Sequence, residues 1–250
     1  MQHDGTTFPL SKRMFDLLIV IGVAPVWIPA LTLCALALLA FEGMPLLYAS
    51  RRRVYGDKVM TILKFRTMRR NADALYNRDT VPVSGQRFLN ISPDSPLYTR
   101  TGRRIEQCMF TELPQLWHVL RGEMSLVGNR PLPVNVVESL RESHPEVDRR
   151  FDAPAGLTGP VQLVGRDYIS DSDRLALECA YVARVRRSSP VLLDFKILAR
   201  TVAASLSPRW RLTYAQAMEL VEWRAQVGPV AEQAKLVAHR SGGGGPSGSR

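Results

Sequence analysis

The segment Leu17–Phe41 carries no charged residue. It is about 25 residues long, and at about 1.5 Å per helical residue it can cross ~30 Å of hydrocarbon. A chain with such a segment must bury it in a core or place it in a membrane. A cleaved signal peptide has an apolar core of only about 7–15 residues, so this segment is too long to be one. Two features separate it from a straight membrane anchor. Pro25 and Pro29 fall near its middle, where each removes a backbone donor and bends a helix. Basic residues flank both ends, Lys12 and Arg13 before it and Arg51, Arg52, Arg53 and Lys58 after it. Positive charge is kept on the cytoplasmic side of a membrane, and a straight span would put one cluster on the wrong side. A helix broken at Ala24-Pro25, entering and leaving by the same face, satisfies both clusters. The expectation is a re-entrant, monotopic membrane hairpin on the cytoplasmic face.

The remaining composition narrows the partners. At 250 residues the chain can form one or two domains, and 46% apolar content is enough for a core. A net charge of +10 calls for an anionic partner: nucleic acid, an anionic membrane surface or phosphorylated substrates. No helix-turn-helix, zinc or RNP-type signature is present, so nucleic acid is not the expected partner. Cys34, Cys108 and Cys179 are widely spaced, with no His at a metal-ligand spacing. That pattern fits a reducing compartment rather than a zinc site or a disulfide framework.

Residues 1–45 form a polar lead and the membrane segment, with Ser11 as its N-cap and Asp16 in its first turn. Residues 46–206 read as one further domain. Within it, Leu46–Met68 reads as extended structure around the basic turn RRRVYGDK. Residues 69–98 are turn-rich and read as a covering loop. A helix is expected from Gly102 to Leu120, interrupted near Pro114. Asn135–Ser143 and the run PEVDRRFDA read as helices, and Ala153–Arg166 as a Gly/Pro-rich loop. Ser172–Arg187 and the run after Pro190, VLLDFKILARTVAASL, read as helices. The apolar spacing of the second suits a membrane surface or a core. Residues 207–240 form an amphipathic extension with a helix over Thr213–Val227, which can pair with a second copy and leaves homo-oligomerisation open. Residues 241–250 are Gly/Ser-rich and expected to be disordered.

The densest chemistry lies in TELPQLWHVLRGEMSLVGNRPLP, Thr111–Pro133. Glu112 is its leading carboxylate. Arg130 follows the Gly128-Asn129 turn and precedes Pro131, a setting that holds a side chain in one place and suits phosphate. In KFRTM, Lys64 and Arg66 are two apart, on one side of an extended strand, and paired cations suit a diphosphate. A solvated basic edge strand explains the same pair. Gln162 and Arg166 lie in a Gly-rich loop and are candidates for nucleotide or phosphate contact.

In order and spacing, KRMFDLLIV, LLYASRRRVYG, KFRTM, TRTGRRIE, ELPQLWHVLRGEMSLVGNRP, PAGLTGPVQLVGR and LLDFKIL resemble the bacterial sugar transferase family, the monotopic phosphoglycosyl transferases. The resemblance runs from about Lys12 to Val202. It implies an α/β-type, mostly helical fold with a re-entrant membrane hairpin and a small cytoplasmic catalytic domain with amphipathic interfacial helices, at the bacterial inner membrane. It implies transfer of a sugar-1-phosphate from a nucleotide diphospho-sugar, commonly a UDP-sugar, to undecaprenyl phosphate, initiating polysaccharide or glycoconjugate synthesis. Inner-membrane lipids are implied partners and Mg²⁺ the implied cofactor, with Glu112 helping to hold it.

The same resemblance implies an aspartate nucleophile just before Glu112, where this chain has Thr111. A carboxylate suits attack on phosphorus and later departure, whereas a threonine hydroxyl needs a base and leaves poorly. Glu106 stands where many members of the family have arginine. Three explanations stay open. The chain is a variant enzyme, using Thr111 or a direct transfer. It is a catalytically impaired homologue that binds or regulates. Or a nearby carboxylate such as Glu106 takes the missing role, although regular helix geometry would set it about 140° around from Thr111.

Overall fold

The computed structural model describes residues 9–70, 72, 95–165, 169–187 and 189–222. The fold is mostly helical with a small sheet. Two helices lead it, α1 (Leu10–Gly22) and α2 (Ala24–Glu42). They are separated by Val23 alone, so the break falls one residue before the expected Ala24-Pro25. Pro25 sits in the first turn of α2, where its missing N–H costs nothing because that donor has no helical partner. The Val20 carbonyl beside the break accepts from the Trp27 indole at 2.9 Å. Ser11 is not the N-cap: α1 begins after Pro9, and the Ser11 hydroxyl lies 3.1 Å from that of Ser189.

α2 is long and apolar enough to cross a membrane, with a mean hydropathy of 2.1, and only 11% of that stretch is buried. A core helix would be mostly covered, so this one leaves its apolar surface open. Leu18, Ile21, Val26, Ile28, Leu33 and Leu36 are all exposed. The outer ends of the pair are docked. Asp16 of α1 accepts from Ser125 Oγ at 2.8 Å and from the Leu126 N–H at 3.1 Å. Arg13 donates to the carbonyls of Val119 and, at 2.6 Å, Leu120. Lys12 is fully buried. At the other end, Cys34 and Leu38 of α2 pack with Phe65 and Ile105. Lys12 and Arg13, read as topology signals, therefore also anchor α1 on the globular body.

The extended structure expected over Leu46–Met68 is a hairpin of β1 (Leu47–Tyr55) and β2 (Lys58–Phe65), joined at Gly56-Asp57 with Gly56 at φ 48°. Leu47 pairs with Phe65 and Arg52 with Met60, and the register shifts between Arg53 and Tyr55. Arg53 is not a lipid-facing residue: it pairs with Asp148 at 2.5 Å and lies 4.4 Å over the Phe151 ring. Next come α3 (Arg100–Gln107), a 3-10 turn at Phe110–Glu112, and α4 (Gln115–Leu120). The helix expected over Gly102–Leu120 is interrupted at Pro114 as expected, and a second break after Gln107 makes it three pieces. β3 (Ser125–Val127), β4 (Leu132–Pro133) and α5 (Val134–Ser143) follow. β4 extends the hairpin as β2-β1-β4.

The run PEVDRRF is a 3-10 segment, Pro145–Phe151, rather than an α-helix. The stretch read as loop over Ala153–Arg166 contains β5 (Gly156–Thr158), parallel to β3, and the short helix α6 (Pro160–Val164). Its Gly156 packs tightly against Gly128 beyond β3. A Cβ on Gly128 would lie 2.2 Å from the Pro154 carbonyl, so the two strands close only because Gly128 has none. α7 (Asp171–Arg187), α8 (Val191–Leu206) and α9 (Tyr214–Glu222) complete the body, with a 3-10 turn at Pro208–Trp210. Val54, Val119, Leu126, Leu163, Tyr181 and Ile197 form the centre of the core. Most of the covering loop, the end of the Thr213–Val227 helix and the 241–250 tail lie outside the described residues.

Candidate active site

α3 sets the geometry. Thr99 caps it, its side chain accepting from the Gly102 N–H at 3.0 Å. Gly102 is pressed onto Thr67, where a Cβ would stand 2.0 Å from the Thr67 carbonyl. After Gln107 the chain reverses at Met109, which is left-handed at φ 59° and ψ 22°. Met109 is the single non-glycine at positive φ among the described residues. Such a conformation is unfavourable for a side chain with a Cβ and persists only where surrounding structure enforces it. Here it turns the Phe110–Glu112 segment back over the last turn of α3.

The reversal brings Thr111 onto Glu106. Thr111 Oγ1 donates to Glu106 Oε2 at 2.7 Å. Thr111 is buried at 6% exposure, and Glu106 is half-buried. The helix arithmetic that set these two about 140° apart fails because α3 has ended before Thr111.

Glu112, one residue on, pairs with Arg130. The Arg130 guanidinium grips both its oxygens: Nη1 donates to Oε2 at 3.1 Å and Nη2 to Oε1. The two side chains keep 26% and 27% exposure, so this fork is open at its edge. Burial lowers the Arg130 pKa, but the charge and hydrogen bond of Glu112, with the charge of Glu106, raise it above its ordinary value. Arg130 thus stays a cation and faces two carboxylates.

The Gly128-Asn129 turn holds Arg130 from behind. Asn129 Nδ2 donates to the carbonyls of Arg150 at 2.9 Å and Glu178 at 3.2 Å. Arg150 Nη2 donates to the Arg130 carbonyl at 2.9 Å. Arg150 is itself clamped by Glu178 through bonds of 2.6 and 2.7 Å, with both side chains buried. Sequence reasoning missed this pair. A signal existed: Glu178 lies on the apolar stripe of α7, with Leu175, Tyr181 and Val182. A charge on such a stripe requires a buried partner.

The other expected residues are spread out. Lys64 lies across the hairpin from Tyr48, its Nζ 4.9 Å from the ring centre. Arg66 lies past the end of β2 and is directed at backbone: Nε donates to the Pro45 carbonyl at 2.6 Å, and Nη2 to Gly43 at 3.0 Å and Glu42 at 3.3 Å. It holds the carbonyl end of α2, so Lys64 and Arg66 do not converge in the way their spacing suggested. Gln162 lies near the Arg130 turn. A Cβ on Gly159 would be 2.3 Å from the Gly128 carbonyl and 3.3 Å from Gln162 Oε1. Gln162 Nε2 is buried with no hydrogen-bond partner among the described residues. Arg166 lies outside the described residues.

Among the described residues no three His, Cys, Asp or Glu side chains converge on a metal-sized space. Magnesium does not require that, since it is commonly bound by one or two carboxylates together with substrate phosphates. Glu112 fits that donor class.

An apolar surface adjoins the site. Leu192, Phe195, Val202 and Leu206 form one exposed stripe of α8, while Leu193, Asp194 and Ile197 face inward. Ser205 on this helix lies 3.9 Å from the sulfur of Met109, which is exposed together with Phe110.

The profile of the bacterial sugar transferase family matches residues 7–208, which include every element of this site. The exopolysaccharide production protein ExoY of Sinorhizobium fredii is 33% identical over 211 residues, covering 81% of this chain and 90% of that protein. The undecaprenyl-phosphate glucose phosphotransferase of Komagataeibacter xylinus is 32% identical over 209 residues, or 80% of this chain but 36% of the longer relative. The UDP-glucose:undecaprenyl-phosphate glucose-1-phosphate transferase of Caulobacter vibrioides is 30% identical over 203 residues, 79% of this chain and 70% of its own length. The class so defined is that of the phosphoglycosyl transferases. The chain belongs to the bacterial sugar transferase family.

Proposed function

We propose that this protein transfers a sugar-1-phosphate from a UDP-sugar to undecaprenyl phosphate at the cytoplasmic face of the bacterial inner membrane, the first step of a polysaccharide or glycoconjugate. The observation that carries this is the open Glu112–Arg130 fork beside the apolar stripe of α8. A diphosphate from solution and a lipid phosphate from the membrane need such a junction of charge and apolar surface. Arg130 presents a planar donor fork suited to phosphate oxygens, and the Arg150–Glu178 pair fixes its backbone. Glu112 with the substrate phosphates would hold Mg²⁺, which neutralises diphosphate charge when bound. Lys64, Gln162 and Arg166 remain candidates for donor contact, and Gln162 has an unpartnered buried amide nitrogen to offer.

The N-terminal pair acts as a re-entrant anchor. Its two outer ends are tied to one globular body, by Lys12, Arg13 and Asp16 at one end and Arg66 at the other, while its middle is apolar and exposed. That arrangement supports entry and exit by one membrane face. Cysteine labelling of Val23 and Gly5 in intact cells tests it: reaction of Gly5→Cys with an impermeant reagent from outside would refute the hairpin.

Purified protein given Mg²⁺, undecaprenyl phosphate and a panel of UDP-sugars should release UMP. Absence of UMP across the panel refutes the transferase reading. A second reading is favoured by the hydroxyl at Thr111: a homologue that binds nucleotide sugar without turnover. UMP release by the unmodified protein ends it.

A further inference from the structure

The Thr111–Glu106 hydrogen bond is not required by the fold around it. A buried threonine hydroxyl can be satisfied by a backbone carbonyl one turn back, at far lower cost than half-burying a carboxylate. Instead the chain adopts a left-handed Met109 and brings Glu106 Oε2 to 2.7 Å from Thr111 Oγ1. The pair stands beside the open fork: Thr111 is adjacent in sequence to Glu112, and the Glu106 charge acts on Arg130. A hydroxyl hydrogen-bonded to a carboxylate, beside the Arg130 guanidinium, has the arrangement of a nucleophile and its base.

We infer that Glu106 is the catalytic base for Thr111, and that the two together supply the nucleophile of this site. The inference rests on the transferase reading above. In the first step Thr111 Oγ1 attacks the sugar-bearing phosphorus of the nucleotide diphospho-sugar. The Oγ1–P bond forms, the bond from that phosphorus to the bridging oxygen breaks, and the electron pair leaves on the nucleoside monophosphate. The Oγ1 proton passes to Glu106 Oε2. The product is a phosphodiester joining Thr111 to the sugar. In the second step a phosphate oxygen of the lipid acceptor attacks the same phosphorus, the P–Oγ1 bond breaks, and Glu106 returns the proton to Oγ1. A plain threonine alkoxide leaves poorly, and the proton held on Glu106 removes that obstacle.

The test uses the full chain in detergent or nanodiscs with Mg²⁺, undecaprenyl phosphate and labelled UDP-glucose, UDP-galactose and UDP-N-acetylhexosamines. Loss of the base should lower kcat by about 10²–10⁴-fold in E106Q with little change in KM, and E106D should recover part of it. T111V should lose turnover yet bind UDP as the unmodified protein does. Without acceptor, the label should become attached to Thr111 and resist neutral hydroxylamine. Hydroxylamine-labile label on a carboxylate, or turnover without any covalent label, overturns the inference. So does unimpaired turnover by E106Q or T111V. Turnover by the unmodified protein that E106Q and T111V retain in full overturns the Thr111–Glu106 pair and leaves the transferase reading standing; turnover by the double variant E106R/T111D when the unmodified protein has none overturns both and marks a homologue that has lost catalysis. No turnover by either protein overturns both.

Discussion

Lys12 and Asp194 form a fully buried ion pair at 2.5 Å that ties the first helix to the eighth. Lys12 also donates to the Val127 carbonyl at 2.7 Å, and the Tyr181 hydroxyl donates to Asp194 Oδ1 at 2.9 Å. Burial, then the charge of Asp194, push the Tyr181 phenol well above its ordinary pKa, so it remains a donor. Burial also raises the Asp194 carboxyl, even with Lys12 beside it. Removing one member of such a pair strands the other charge. K12M should cost about 3–5 kcal/mol of stability, measured by denaturant unfolding in detergent, and K12M/D194L should recover most of it. A loss below about 1 kcal/mol in K12M would mean that the pair does not hold α1 in place.

Arg150 and Glu178 act on the site through the backbone of Arg130. E178Q leaves the Arg150 guanidinium buried with a weaker partner. The expected loss is several kcal/mol of stability, about 3–5 at the upper end. In the folded fraction, UMP release should fall because the Arg130 carbonyl loses its fixed donor. Equal UMP release per folded molecule would show that this pair is structural alone.

Arg130 contacts both oxygens of Glu112, which a lysine cannot do from one nitrogen. R130K preserves charge but loses one charge-assisted bond worth about 1.5–3 kcal/mol, or roughly 10–100-fold in kcat/KM. Steady-state kinetics with a UDP-sugar should show that loss, and kinetics matching the unmodified protein would exclude the fork from the reaction.

Asp148 predicts an acid dependence. Its carboxyl lies below the ordinary value of 3.8, first because of its hydrogen bonds with Arg141 and then, against opposing burial, because of Arg53. A folded value below the unfolded one contributes stability above about pH 3.8, which is lost as pH falls through the lower folded value. The site is half exposed, so the contribution is under about 1 kcal/mol. D148N should be slightly less stable than the parent at pH 7, and the two should converge in acid. A stability gap that persists at pH 2–3 would assign the effect to packing against Phe151 instead.

Local pattern carried much of the architecture into view. Twenty-five uncharged positions with two prolines announce the broken apolar helix. The basic turn RRRVYGDK announces extended structure around it, and the helical spacing of apolar residues over α8 announces an amphipathic helix. Glu112 and Arg130 stood out because an acid, a Gly-Asn turn and prolines crowd one short stretch. These are properties of neighbours along the chain, and neighbours constrain each other wherever the fold places them.

What local pattern could not reveal depends on groups far apart in sequence. The Lys12–Asp194 pair and the Asp16–Ser125 bond span more than a hundred residues, so the sequence does not show that Lys12 and Asp16 also anchor α1 on the body. Arg66 looked like a phosphate ligand, yet the carbonyl end of α2 lies within its reach once β1 and β2 have paired. Gly156 read as part of a Gly/Pro-rich loop because its close contact with Gly128, which excludes a Cβ, exists only after β3 and β5 come together. Thr111 and Glu106 mark the boundary most sharply. Their identities were plain as an odd hydroxyl and an odd carboxylate five residues apart. Their contact required the end of α3 and the left-handed turn at Met109, which packing imposes and helical periodicity cannot foresee.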